Sequence, residues 1–176
     1  TLTDDPIIAS NVVRSYALKK QVISLSAKSK FNRELSYKSN NKKVKVDKNG
    51  KLTLPAKFSG TVKITITASK TDTYKSATKT ITVTVPTITN VKKATADKGK
   101  MTVQWKKNKT GTDYEVQYST DKKFKDKKKT KTVKVKKQKT VKSVIKVTKG
   151  TYYVRMRTLN GKCTSDWSKA KTVKVK

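Results

Sequence analysis

Along most of this chain apolar and polar residues alternate in short runs, the pattern of strands with one buried face. Between Val12 and Val85 the apolar positions come two apart: Ile23 and Leu25 beside Val22, then Leu35 and Tyr37, Val44 and Val46, Leu52 and Leu54. Two runs are longest. In Thr61 to Ala68, Val62, Ile64, Ile66 and Ala68 share one face while Lys63, Thr65 and Thr67 take the other; in Thr78 to Val85, Ile81, Val83 and Val85 face inward. Asn40-Asn41, Asn49-Gly50 and Ser59-Gly60 fall between runs, where Asn or Gly at positive φ is expected to turn the chain. No window carries a helical period.

Val85-Pro86-Thr87 breaks the alternation, because proline cannot donate to a strand ladder. It resumes with Met101, Val103 and Trp105; Tyr114, Val116 and Tyr118; Val133 and Val135; Ile145 and Val147; Tyr152, Val154 and Met156; Val173 and Val175. A length of 176 residues accommodates two domains with cores of their own. The expectation is an all-β chain of two tandem antiparallel β-sandwiches without disulfides, residues 1–85 and 86–176.

The first unit resembles bacterial immunoglobulin-like modules of the group 2 type. The likeness lies in Ile23-Ser24-Leu25-Ser26-Ala27, Leu35-Ser36-Tyr37-Lys38-Ser39-Asn40-Asn41, Val44 to Leu52 with its Asp47-Lys48-Asn49-Gly50 turn, and Ser59-Gly60-Thr61-Val62-Lys63-Ile64-Thr65-Ile66. It implies an extracellular spacer or adhesion module and brings no catalytic residues. The second unit resembles a fibronectin type III domain. Met101-Thr102-Val103-Gln104-Trp105 matches that family's tryptophan strand, Tyr114 to Ser119 its third strand and Gly150 to Arg157 its sixth, with Ser165-Asp166-Trp167-Ser168 before the last. The resemblance implies structural roles for Trp105 and for Tyr152, at a tyrosine corner. No Arg-Gly-Asp loop is present, so integrin binding does not transfer. With Tyr152, Val154 and Met156 inward, Arg155 and Arg157 must point outward, where Trp167 is expected to lie across them as a structural ladder first and a ligand platform second.

Charge changes the picture more than any motif. The net charge is +34, carried by forty-one lysines and four arginines against eleven acids. Residues 1–85 hold 17 basic and 5 acidic residues, or +12; residues 86–176 hold 28 and 6, or +22. Lysine suits diffuse attraction and solubility, whereas bidentate reading of bases favours arginine, so sequence-specific nucleic-acid recognition loses ground. The field is densest from Lys122 to Lys139, and Lys127, Lys128, Lys129, Lys131, Lys134, Lys136, Lys137 and Lys139 are the candidate polyanion contacts. Lysine alternating with valine there also reads as the solvent side of an edge strand, protected against aggregation.

Catalytic chemistry finds little support. The chain has no histidine, which removes the usual hydrolytic triads and imidazole metal sites. Glu34, Glu115 and the aspartates form no recognisable carboxylate motif and read as turn residues or ion-pair partners. Asp4-Asp5 and the pair Asp121 and Asp126 lack the spacing of a calcium loop. The final strands offer no asparagine for a lysine cross-link. Cys163 has no second cysteine to bond with. No apolar stretch reaches the roughly eighteen residues of a membrane helix. No enzyme, cofactor or metal is therefore expected, and a monomer is. Beginning Thr1-Leu2-Thr3, the chain reads as part of a longer exported protein, cell-surface or secreted.

The leading expectation is a structural and adhesive spacer with electrostatic attachment to an anionic cell-wall polymer. The alternatives are a binding module for host glycoprotein or carbohydrate, and the accessory domains of a secreted hydrolase.

Overall fold

The computed structural model describes residues 1–176. They form two compact units, Thr1–Val85 and Pro86–Lys176, each with two main sheets around its own core and the first with a further two-stranded sheet. All regular structure is β.

The first unit contains β1 (Ile7–Ile8), β2 (Val12–Val13), β3 (Gln21–Ser24), β4 (Lys28–Ser29), β5 (Ser36–Ser39), β6 (Lys45–Val46), β7 (Lys51–Leu54), β8 (Gly60–Ala68) and β9 (Ala77–Val85). One sheet has the order β2-β9-β8-β5, the other β3-β7-β6, and β1 pairs with β4. The central pair β8 and β9 sets apolar against apolar, with Val62 opposite Val83 and Ile64 opposite Ile81, all buried. On the other face Thr61 and Thr84 join hydroxyls at 3.0 Å. Two features depart from the expected plan. β2 runs parallel to β9, with Val12 opposite Val83 and Val13 opposite Thr84. Asn40 and Asn41 turn the chain without positive φ, because their side chains replace backbone partners: Asn40 Oδ1 accepts from Lys63 N–H and Asn41 Oδ1 from Lys43 N–H, each at 2.9 Å. Gly50 does take φ +72°.

An ion pair ties the start of the first unit to its body. Arg33 Nε donates to Asp5 Oδ2 at 2.6 Å and its Nη1 to the Ser69 carbonyl at 2.6 Å, while Phe31 N–H donates to Asp5 Oδ1 at 2.9 Å. Tyr74 closes the cluster, stacked on Phe31 at 5.2 Å between ring centroids and covered by the Arg33 guanidinium at 5.2 Å. Burial works against ionisation of Asp5, yet Arg33, the Phe31 N–H and the Ser29 hydroxyl outweigh it and hold its carboxyl below the usual range.

The second unit contains β10 (Val91–Asp97), β11 (Lys100–Trp105), β12 (Asp113–Ser119), β13 (Thr130–Val135), β14 (Lys142–Lys146), β15 (Gly150–Asn160), β16 (Cys163–Thr164) and β17 (Lys171–Val175). The sheet β10-β11-β14 faces a second sheet in which β13, β12 and β15 lie side by side and both β16 and β17 pair with β15. Met101, Val103, Tyr114, Val116, Val154 and Met156 are wholly buried between them.

One end of this core is polar and organised by Asn108. Its Nδ2 reaches the hydroxyls of Thr87, Thr89 and Thr158 at 2.9, 3.0 and 3.2 Å, and its Oδ1 accepts from the Thr110 N–H and hydroxyl. Tyr114 adds its hydroxyl, accepting from Asn108 N–H at 2.9 Å and donating to the Gln138 carbonyl at 3.0 Å. Gly111 passes so close to β15 that a Cβ there would stand 2.1 Å from Thr158 Cγ2 and 2.9 Å from the Leu159 carbonyl.

Gly111→Ala is accordingly expected to cost the second unit about 1–3 kcal/mol. Both tryptophans lie in that unit, so denaturant unfolding followed by their fluorescence measures it. For the first unit, a depressed Asp5 pKa stabilises above the unfolded value of about 3.9, and that stabilisation is lost as pH falls through the folded value. The NMR signals of Phe31 and Tyr74 should show unfolding easing on acidification in this window, with a shallower slope in Asp5→Asn.

Candidate polyanion-binding surface

The outward face of β12 and β15 is built in cross-strand rows. Thr132, Gln117 and Arg155 lie opposite one another, as do Lys134, Glu115 and Arg157. Side chains link each row: Gln117 Nε2 donates to Thr132 Oγ1 at 3.1 Å, Arg155 Nε to Gln117 Oε1 at 2.8 Å, and Arg157 Nε to Glu115 Oε2 at 2.6 Å. Trp167 lies across both guanidinium groups, 4.7 Å from Arg155 and 4.4 Å from Arg157, and Phe124 covers Arg155 at 4.1 Å. Burial, then the charge of Arg157, lowers the Arg155 pKa, with Asp166 opposing.

The Trp167 turn is held to the edge of β15 by two serines. Ser165 Oγ accepts from Thr158 N–H at 2.9 Å and Ser168 Oγ from Met156 N–H at 3.0 Å, while their own N–H groups donate to the carbonyls of the same two residues. Ser-x-x-Ser thus stands in for a strand where the backbone bulges away. With both guanidiniums stacked and hydrogen-bonded, this face is a structural ladder. Trp105 is buried, edge-on to Tyr114 at 5.4 Å and 62°. The Tyr152 hydroxyl shares a hydrogen bond with Thr148 Oγ1 at 3.1 Å, so its corner is closed by a side chain and not by backbone.

All eight candidate lysines are exposed, but they do not form one face. Lys127, Lys128 and Lys129 occupy the turn before β13. That turn is shaped by acids: Asp121 accepts from the N–H groups of Asp126, Lys123 and Lys125, and Asp126 from those of Lys128 and Lys129. These backbone donors hold the Asp121 carboxyl below its ordinary range; burial opposes the same effect at Asp126 without reversing it. Both carboxylates, weighed above as calcium ligands, are spent on their own loop. Likewise Asp5 is committed to Arg33, and Asp4 pairs with Lys75 at 3.2 Å.

Lys131 lies opposite Tyr118, whose ring packs on the core, so it belongs to the rim of the sandwich; Lys134, opposite Glu115, belongs to the outer face. Lys136, Lys137 and Lys139 sit at the other end of β13, where Lys137 takes φ +72° and its N–H donates to Asp113 Oδ1 at 3.0 Å. Meanwhile Lys98, Lys100 and Lys146, remote in sequence, join Lys128, Lys129 and Lys131 around one cleft of about 640 Å3. The register of β11 against β14, which sets Lys100 opposite Lys146, creates that convergence. Spacing along the chain carries no trace of it.

The strand orders define two immunoglobulin-like and fibronectin type III-like β-sandwiches in tandem. No protein-family profile matches the sequence, and no curated protein does. Among solved structures, domains FN1–FN3 of chicken CNTN1 align with a TM-score of 0.45 at 10% identity, over 99% of this chain and 68% of that one. Domains A168–A170 of titin align with 0.44 at 13% identity, over 93% of this chain and 60% of that one. Both scores fall below 0.5, so the class rests on the strand order of each unit.

Arg157→Lys keeps the charge but loses the planar stack on Trp167. It is expected to lower the second unit's stability by about 0.5–1 kcal/mol and to shift Trp167 emission, read by denaturant titration.

Proposed function

We propose that this chain is a non-catalytic spacer and adhesive segment of an exported bacterial surface protein, whose second unit attaches electrostatically to an anionic cell-wall polymer. The observation that carries the reading is the state of the lysines. The eight from Lys127 to Lys139 all face solvent, and of these Lys129 alone pairs with an acid, Asp126 at 3.3 Å. Such lysines attract a flexible polyanion strongly and, being donors only, do not themselves read one sequence from another. Support for a wall polymer comes from the first unit's resemblance to bacterial surface modules. A non-catalytic role is supported by the commitment of Asp5, Glu115, Asp121 and Asp126 to structural bonds.

The test is co-sedimentation of the chain with purified Gram-positive cell walls, before and after removal of teichoic acid. Saturable binding that requires teichoic acid and falls steeply between about 50 and 200 mM salt is expected. Absence of binding at the lower salt would overturn attachment and leave the lysines as solubilising charge.

A further inference from the structure

We infer that the lysine-rimmed cleft of the second unit is a discrete site for an acidic sugar residue. The inference rests on the electrostatic reading above and narrows it from a diffuse field to one place.

Three segments build the cleft. Lys98 and Gly99, at φ +42° and +74°, turn β10 into β11, and Val147 N–H donates to the Gly99 carbonyl at 2.9 Å, fixing this hairpin to the end of β14. Lys146 stands opposite Lys100 across that sheet. From the facing sheet come Lys128 and Lys129 in the turn and Lys131 on β13. Six lysines thus line a space of about 640 Å3, within the size range of small-ligand sites. The acids nearby offset little: Asp126 engages Lys129, and Asp97, exposed, lies opposite Lys100 in the ladder.

The remaining lining is not that of a simple anion hole. Tyr118 and Tyr152 contribute ring surface, their centroids 6.1 Å apart and tilted by 57°. Thr120, Thr148 and the tyrosine hydroxyls add groups that both donate and accept. Burial, then the neighbouring Tyr152, raises the Tyr118 pKa, so its hydroxyl stays neutral.

Each part of the lining asks for a different feature of the ligand. Lysines supply donors only and call for an anion; hydroxyls call for hydroxyls; the apolar ring surface calls for a face of C–H groups. A carboxylated sugar ring offers all three. A bare phosphate chain would satisfy the lysines and leave the tyrosine wall unused. A nucleobase would also use the half-buried Tyr118 ring, so oligothymidylate is one of the probes below.

The experiment is calorimetric titration of the whole chain at about 150 mM salt with hexagalacturonate, inorganic polyphosphate and a short oligothymidylate. Two double variants carry equal charge change: Lys98→Glu with Lys131→Glu at the cleft, and Lys106→Glu with Lys107→Glu, exposed just beyond the far end of β11 and outside the cleft lining. The cleft pair is expected to weaken hexagalacturonate binding by about tenfold or more, and the distant pair by no more than about twofold. Tyr118→Leu, checked for an unchanged fold by circular dichroism, should weaken hexagalacturonate and leave polyphosphate unaffected. Equal losses from the two double variants, or no effect of Tyr118→Leu, would overturn the cleft site while leaving diffuse attraction standing. Binding of none of the three probes would overturn the cleft site, whereas wall attachment stands or falls on the co-sedimentation at lower salt. Tighter binding of oligothymidylate, lost in Tyr118→Leu, would overturn the sugar assignment in favour of nucleic acid.

Discussion

Forty-one ammonium groups must stay in water while two cores close, and the two-residue period of the strand is what reconciles these demands. In β8 the lysine and threonines alternate with Val62, Ile64 and Ile66; in β13 Lys134 stands outward between Val133 and Val135. A one-residue slip of register would drive a row of charges inward, so the same lysines that weaken the compact state by mutual repulsion also forbid its nearest competitors. With one cysteine and no disulfide, register has to be fixed by packing and by a few buried polar links, of which Asn108 and the Asp5–Arg33 pair are the densest.

Arginine and lysine divide the work accordingly. Three of the four arginines, Arg33, Arg155 and Arg157, lie against rings and hydrogen-bond to side chains of Asp5, Gln117 and Glu115. Lysines are left to face solvent. A planar guanidinium can be stacked and still satisfied, whereas an ammonium held the same way would lose hydration without recovering it. The protein therefore spends its few arginines on architecture and leaves its outward field to lysine.

The all-β class was legible in the sequence because alternation is a local signal. The inward positions Val62, Ile64, Ile66, Ile81, Val83 and Val85 are buried as their spacing requires. Less legible were features that depend on partners distant in the chain. The parallel pairing of β2 with β9 leaves no mark on Val12 and Val13, which would look the same in any edge strand. Turns at Lys57, Phe124 and Lys137 have positive φ without the glycine or asparagine that announces one. The candidate site divides in the same way. Exposure of the lysines from Lys127 to Lys139 follows from their neighbours, but the meeting of Lys98, Lys100 and Lys146 with Lys131 exists only once two sheets face each other.

The parallel pairing of β2 with β9 has a mechanical consequence. Once the β1–β4 pair and the Asp5–Arg33 link have given way, tension applied through the ends of the first unit is carried by β2 and β9, pulling two parallel neighbours in opposite directions along their length. The bonds between them, including Arg14 N–H to the Thr84 carbonyl at 2.9 Å and Thr82 N–H to Asn11 Oδ1 at 2.8 Å, are then loaded in shear and must yield together. In the second unit the last strand, β17, pairs antiparallel with β15, and the first, β10, packs beside β17 without a backbone ladder, linked to it by Lys171 Nζ donating to the Lys92 carbonyl at 3.0 Å. Under a stretching load the first unit would therefore hold until that whole row of bonds breaks at once.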